Sequence, residues 1–193
     1  MKKGIIITSV LAVVAALTVA AVKLHEAYLV ADIISDEAYQ DDLSAEVRKE
    51  YEGLLTFLQD GFKDHWEEFD PSDRDLSDVW GYCSEYASYS EHDIDGNGIP
   101  ELILADSFDD WNHLIYDIFT FNEESGTLVH LAKGGERDTF QVNGDGVIIE
   151  SGSNSAYDSF QRGFIIEDCR LTEIRGYAWH DDMLKIDFKR IQE

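Results

Sequence analysis

From Tyr82 onward the chain is divided into short runs of β-branched and aromatic residues, with a turn-forming cluster about every ten residues. This rhythm restricts the second half to an antiparallel, sheet-based fold. The runs lie at Tyr82–Glu91, Glu101–Asp106, Leu114–Asn122, Thr127–Ala132, Thr139–Val142, Val147–Ser151, Phe160–Glu167 and Arg170–Tyr177. Glu123-Glu124-Ser125-Gly126 and Asn143-Gly144-Asp145-Gly146 are among the turns between them. Connections this short join antiparallel neighbours, because a parallel pair needs a long crossover.

Ahead of the strands, apolar residues fall at Leu43, Val47, Tyr51, Leu54, Leu55, Leu58, Phe62, Trp66 and Phe69. Spacings of three and four place them on one stripe of an amphipathic helix. Asp41 and Asp42 offer its N-cap and Pro71 ends it, while Gly53 and Gly61 are weak points within it. The expected class is α+β: one amphipathic helix, then an antiparallel meander of about 7–8 strands. The stripe is expected to pack on that sheet.

Met1-Lys2-Lys3 precedes Gly4–Val22, a run without a charge that ends at Lys23. As a helix this run matches the hydrocarbon thickness of a bilayer, about 30 Å. Lys2 and Lys3 would stay cytoplasmic and place the rest outside the cell. Thr18-Val19-Ala20 and Val19-Ala20-Ala21 each have the form of a signal cleavage site, so two readings stand: a retained anchor, or a removed signal peptide with a secreted product. The expected organisation is residues 1–23 as anchor or signal, 24–40 as a juxtamembrane helix or linker, and 41–193 as an extracellular domain.

Beyond the apolar run there are 13 basic residues against 40 acidic ones, a formal charge of −27. Such a surface repels phosphate backbones, which excludes nucleic acid as a partner, and it attracts cations or a basic protein. Solubility alone also accounts for it. Cys83 and Cys169 both fall in the exported part, where a pair can persist as a disulfide. Two reduced, buried cysteines are the alternative.

One stretch carries recognisable chemistry: Asp93-Ile94-Asp95-Gly96-Asn97-Gly98-Ile99-Pro100-Glu101. Calcium takes six to eight oxygens from a tightly turned chain. Asp93, Asp95 and Asn97 alternate so that three side-chain oxygens can meet, and Gly96 and Gly98 permit the reversal. The Ile99 carbonyl can add a ligand and Glu101 can close the shell. Calcium bound by Asp93, Asp95, Asn97, Ile99 and Glu101 is therefore expected, in a structural role. The first six residues match an EF-hand loop, but position twelve is Leu104 where that loop needs glutamate, so an EF-hand is rejected. A metal-free hairpin turn is the plainer reading, against which the mutual repulsion of three carboxylates weighs.

The loop resembles the calcium-bearing hairpins of integrin-type propeller repeats, whose last acidic ligand sits at the ninth position, here Glu101. More widely, Tyr86-Ala87-Ser88-Tyr89, the loop itself, Glu101-Leu102-Ile103 and Tyr116–Phe121 resemble largely uncharacterised secreted or membrane-anchored proteins of Gram-positive bacteria. That resemblance spans about Tyr82 to Leu131 and implies location and fold more than activity.

The sequence contains no G-x-S-x-G elbow, phosphate-binding glycine loop or HExxH motif. His92 is read as a surface histidine, and Trp111, Tyr116, Tyr157 and Trp179 as core or strand residues in preference to a sugar-stacking platform. The function expected is a membrane-anchored, calcium-stabilised binding or interaction module outside the cell. The alternative is an acidic inhibitor or immunity-type protein that neutralises a basic exported toxin or hydrolase.

Overall fold

The computed structural model describes residues 43–63, 69–82, 85–109, 112–155, 157–177 and 183–191. The Gly4–Val22 run and the linker at 24–40 lie outside these residues. Among the described residues no helix is long and apolar enough to cross a membrane. The chain divides into two compact units, Met1–Ala45 and Glu46–Glu193, and the architecture below is that of the second.

Residues 43–63 form a helix (α1) that runs through both Gly53 and Gly61. Val47, Tyr51, Leu54, Leu58 and Phe62 are buried, as the stripe predicts. The two glycines have different grounds. A Cβ on Gly53 would meet nothing, whereas one on Gly61 would overlap the Phe69 ring. Phe69 folds back against Phe57 and Phe62, with ring centroids 5.4 and 5.5 Å away. Gly53→Ala should therefore stabilise the protein by about 0.5–1 kcal/mol through helix propensity. Gly61→Ala should lose that gain and cost about 1–3 kcal/mol by displacing Phe69. Urea unfolding of the two variants should show shifts of opposite sign.

Pro71 follows Phe69 and Asp70, which are already non-helical, while the helix is described only to Lys63. Pro71 opens a 3-10 turn, Pro71–Arg74, capped by the Asp70 side chain, and a second 3-10 turn follows at Asp78–Gly81, capped by Ser77. The first strand begins at Ala87, later than the hydrophobic pattern suggests, because Glu85 and Tyr86 lie in a further turn.

Among the described residues nine strands follow: β1 (Ala87–His92), β2 (Glu101–Asp109), β3 (Asn112–Asn122), β4 (Thr127–Lys133), β5 (Asp138–Val142), β6 (Ile148–Ser155), β7 (Asp158–Glu167), β8 (Arg170–Glu173) and β9 (Lys189–Arg190). Their order is β8-β7-β6-β5-β3-β2-β1-β9, with β4 attached to β3 outside this path, and every pairing is antiparallel. The expected α+β class holds.

Among the described strands the meander departs from sequence order twice, where β9 returns to pair with β1 and at β3. β3 shares one edge between two partners: Asp117–Asn122 pairs with β4, while Ile115 alone pairs with Phe140 of β5. The chain leaves β4 through Gly134, whose amide donates to the Tyr116 carbonyl. A side chain there would overlap the Asp138 carbonyl, so only glycine lets β5 return to β3 this closely.

Both faces of β2 and β3 are buried. Ile103, Ala105, Ile115 and Ile118 join Ile94, Phe140, Val142, Ile148 and Ile166 in one apolar cluster. This cluster binds β2 and β3 to the β5–β8 strands. Side chains alternate along a strand, so Leu102 and Leu104 point the other way, and they too are fully buried. On that face Trp80 bonds Asp117, next to Ile118 but on the opposite side of the strand. Tyr51 and Gln59 of α1 donate to the Pro100 and Ile191 carbonyls at 2.5 and 2.6 Å, docking the helix to the sheet.

Candidate metal centre

The loop between β1 and β2 is held open at its centre and pinned at its ends. Gly96 and Gly98 are left-handed, with φ of +75° and +91°, which reverses the chain twice within three residues. Asp93 accepts the Gly96 amide on Oδ1 at 2.9 Å and the Gly98 amide on Oδ2 at 3.0 Å. Asp95 accepts the Asn97 amide at 3.1 Å and the Asn97 side-chain Nδ2 at 3.1 Å. Asn97 Oδ1 accepts the Ile99 amide at 2.6 Å. These local bonds shape the backbone while Ile94 and Ile99, both buried, fasten the loop to the core.

Glu101 begins β2 and is fully buried. Its Oε2 accepts the Ile94 amide at 2.8 Å and its Oε1 accepts the Thr120 hydroxyl at 3.0 Å. Burial pushes its pKa up to about 7, with further contributions from Asp95 and Asp93. Burial also raises Asp95, and the neighbouring Asp93 adds to this. Tyr51 is raised as well, by burial first and then by the charges of Glu101 and Glu91, so it remains a donor to the Pro100 carbonyl.

Asp93, Asp95 and Glu101 each offer a carboxylate oxygen, and these oxygens lie within 4.8 Å of one another. Ligands on opposite sides of a calcium ion, each at 2.3–2.6 Å, are about 5 Å apart, so the separation suits a cation of that size. The donor set is all oxygen, which matches a hard cation and not a thiolate-binding metal. Three of the five expected ligands are thus brought together by their side chains. Asn97 has its Oδ1 turned to the Ile99 amide, and a carbonyl oxygen keeps a second lone pair for a cation.

Turns from the far strands border this loop. A Cβ on Gly146, in the β5–β6 turn, would overlap the Ile94 carbonyl. Asn143, read from sequence as part of a plain turn, is buried and organises that turn by accepting the Asp145 and Val147 amides at 3.0 and 2.8 Å. The β7–β8 turn places Cys169 within the field of the carboxylates. Burial raises the thiol's pKa, and Asp95, Asp168 and Glu101 raise it further. Cys169 is a free thiol, and Cys83 lies outside the described residues. The two-residue turn has Asp168 and Cys169 both left-handed, at φ 49° and 55°, where a hairpin of this kind usually carries Asn-Gly.

A second polar cluster escaped sequence reasoning. Asp117, fully buried on β3, accepts the Trp80 indole N–H at 2.5 Å and the Ser77 amide at 3.1 Å. His130 Nε2 lies 2.8 Å from Asp117 Oδ1, without the alignment of a hydrogen bond, and its ring stacks on Phe119 at 4.2 Å. Its Nδ1 faces Asp75 at 3.4 Å, and Lys133 reaches the same carboxylate at 3.0 Å. The Lys133 hydrogen bond holds Asp75 below the usual carboxylate range, with His130 adding to it. Ser77 and Asp117 are 40 positions apart, so no local pattern announces the pair. The cluster ties the 3-10 segment to the sheet.

No protein-family model, curated protein or solved structure matches this chain.

Proposed function

We propose that the chain is a membrane-anchored, extracellular interaction module whose sheet is stabilised by one structural calcium ion. The convergence of Asp93, Asp95 and Glu101 carries this reading, because it places a buried carboxylate and two exposed ones around one point. A cation there would offset their repulsion and fix the loop that supplies Ile94 to the core. Asp93, Asp95, Asn97 and Glu101 would ligate through side chains and Ile99 through its carbonyl. Gly4–Val22 would provide the anchor, and the acidic surface would face outward. Equilibrium titration of the full chain with calcium should give one saturable site that Asp93→Ala abolishes. Absence of saturable uptake by the parent chain sinks the proposal.

The acidic-inhibitor reading draws on the same charge and differs in its salt dependence. A domain that neutralises a basic partner should associate rapidly at low ionic strength and far more slowly once salt screens its field over ~8–10 Å. The acidic residues are spread from Glu26 to Glu193 instead of forming one block, so we expect weak salt dependence for any captured partner. Association rates at about 50 and about 500 mM salt decide this, and a fall of roughly a hundredfold would favour the inhibitor.

A further inference from the structure

The chain contains two Asn-Gly steps, Asn97-Gly98 and Asn143-Gly144, and the fold treats them oppositely. We propose that Asn97 is a site of spontaneous deamidation in the folded protein, and that Asn143 is protected from the same chemistry.

In this reaction the backbone nitrogen of the following residue attacks the asparagine Cγ. A bond forms between the Gly98 nitrogen and Asn97 Cγ, and the Cγ–Nδ2 bond breaks. The departing amide takes up the proton that Gly98 nitrogen gives up, leaving as ammonia. Water then opens the cyclic imide. Cleavage at Cγ leaves an ordinary aspartate where Asn97 stood, and cleavage at the main-chain carbonyl leaves isoaspartate. Glycine in the second position favours attack because it places no side chain in the path of its own nitrogen.

Four observations favour Asn97. It is exposed, as are Gly96 and Gly98 on either side. A Cβ on Gly98 would meet nothing, so there is open space where the imide must form. Its side-chain bonds stay within the loop itself, Nδ2 to Asp95 and Oδ1 from the Ile99 amide, and none reaches another strand. The Gly98 amide proton already points at a carboxylate, Asp93 Oδ2 at 3.0 Å, which can accept it as the nitrogen attacks.

At the other step, Asn143 is 2% exposed. Its Oδ1 accepts two backbone amides, Nδ2 donates to the Tyr177 hydroxyl at 3.2 Å, and its backbone bridges to Met183. Cγ can reach the Gly144 nitrogen only after these bonds and the turn between β5 and β6 are lost. Reaction there is limited to the small fraction of molecules that open locally.

The products alter the loop in different ways. The aspartate product adds a fourth carboxylate among the alternating positions. Isoaspartate routes the main chain through the side chain, adding a methylene and shifting Ile99 and Glu101 relative to Asp93.

The test is peptide mapping of the full chain aged at mildly alkaline pH, with a chelator present throughout so that the result does not depend on calcium binding. Mass spectrometry that separates aspartate from isoaspartate follows both steps, in native buffer and in denaturant. Asn97 should convert at least about tenfold faster than Asn143 in the folded protein, and the ratio should approach one in denaturant, where local opening is no longer required. Comparable native rates, faster conversion of Asn143, or a native preference that persists in denaturant would overturn the assignment.

Discussion

Replacing Asp117 with alanine should destabilise the protein by about 3–5 kcal/mol, the range expected when one partner is removed from a buried charged network. The carboxylate is the acceptor for the Trp80 indole and the Ser77 amide, and both donors are fully buried. Without it each donor is left without its bond in a place water does not reach, at about 1–3 kcal/mol apiece. The melting temperature of a chain of this size should fall by roughly 6–20 °C. Asp117→Asn preserves the shape and one acceptor oxygen, so it should recover part of the loss. Asp75→Asn makes a useful contrast. Asp75 is left-handed at φ 55°, a conformation asparagine tolerates, and its carboxylate is 77% exposed. Its pairs with Lys133 and His130 are solvent-screened, so its loss should cost no more than about 1 kcal/mol. Denaturant unfolding of the three variants measures this order. A loss under about 1 kcal/mol for Asp117→Ala would show that the network does not hold the 3-10 segment.

Calcium should raise the melting temperature, and by an amount that grows with pH. At about one hundred times the dissociation constant the gain is ~2.7 kcal/mol, or roughly 5–10 °C. Asp95→Ala should abolish the shift. The pH dependence follows from Glu101, whose pKa is about 7 in the folded, metal-free protein against an ordinary 4.5. Between those values the folded protein keeps a proton that the unfolded chain releases. The contribution of Glu101 to metal-free stability is therefore fully present below its ordinary pKa and is lost as pH rises through 7. The whole change is at most about 3 kcal/mol. Calcium must displace that proton to use the carboxylate, so affinity should climb with pH and level off above 7. Melting curves across this range with chelator and with calcium test both limbs. Glu101→Gln should flatten the metal-free curve, and a metal-free protein that becomes more stable from pH 5 to 7 would contradict the account.

Much of the sheet was legible because its strands alternate and its turns are marked by glycine, asparagine and aspartate. The Glu101, Leu114, Thr127 and Phe160 runs all fall inside observed strands. Helix α1 was legible from its stripe, although Gly61 looked like a weak point until Phe69 supplied its reason. The exchange of partners along β3 was not legible. It depends on Gly134 approaching the Tyr116 carbonyl, a contact between residues with no shared pattern. At the loop, the alternating carboxylates were visible, but the burial of Glu101 was not, nor were its bonds to Thr120 and the Ile94 amide. Those arise from pairing β2 with β3 and from nothing within the motif. The Asp117 cluster was invisible for the same reason.

The two ends of the sheet path have a consequence for crowding. An edge strand offers unpaired amides and carbonyls to any neighbouring chain, and long apolar edges recruit copies of themselves. Here the path ends in β8, four residues reading Arg170-Leu171-Thr172-Glu173, and in β9, only Lys189-Arg190. A molecule poor in basic residues thus carries three of them on its terminal strands. At these two ends a second copy would find little to pair with, so neither end of the path favours joining one sheet to another.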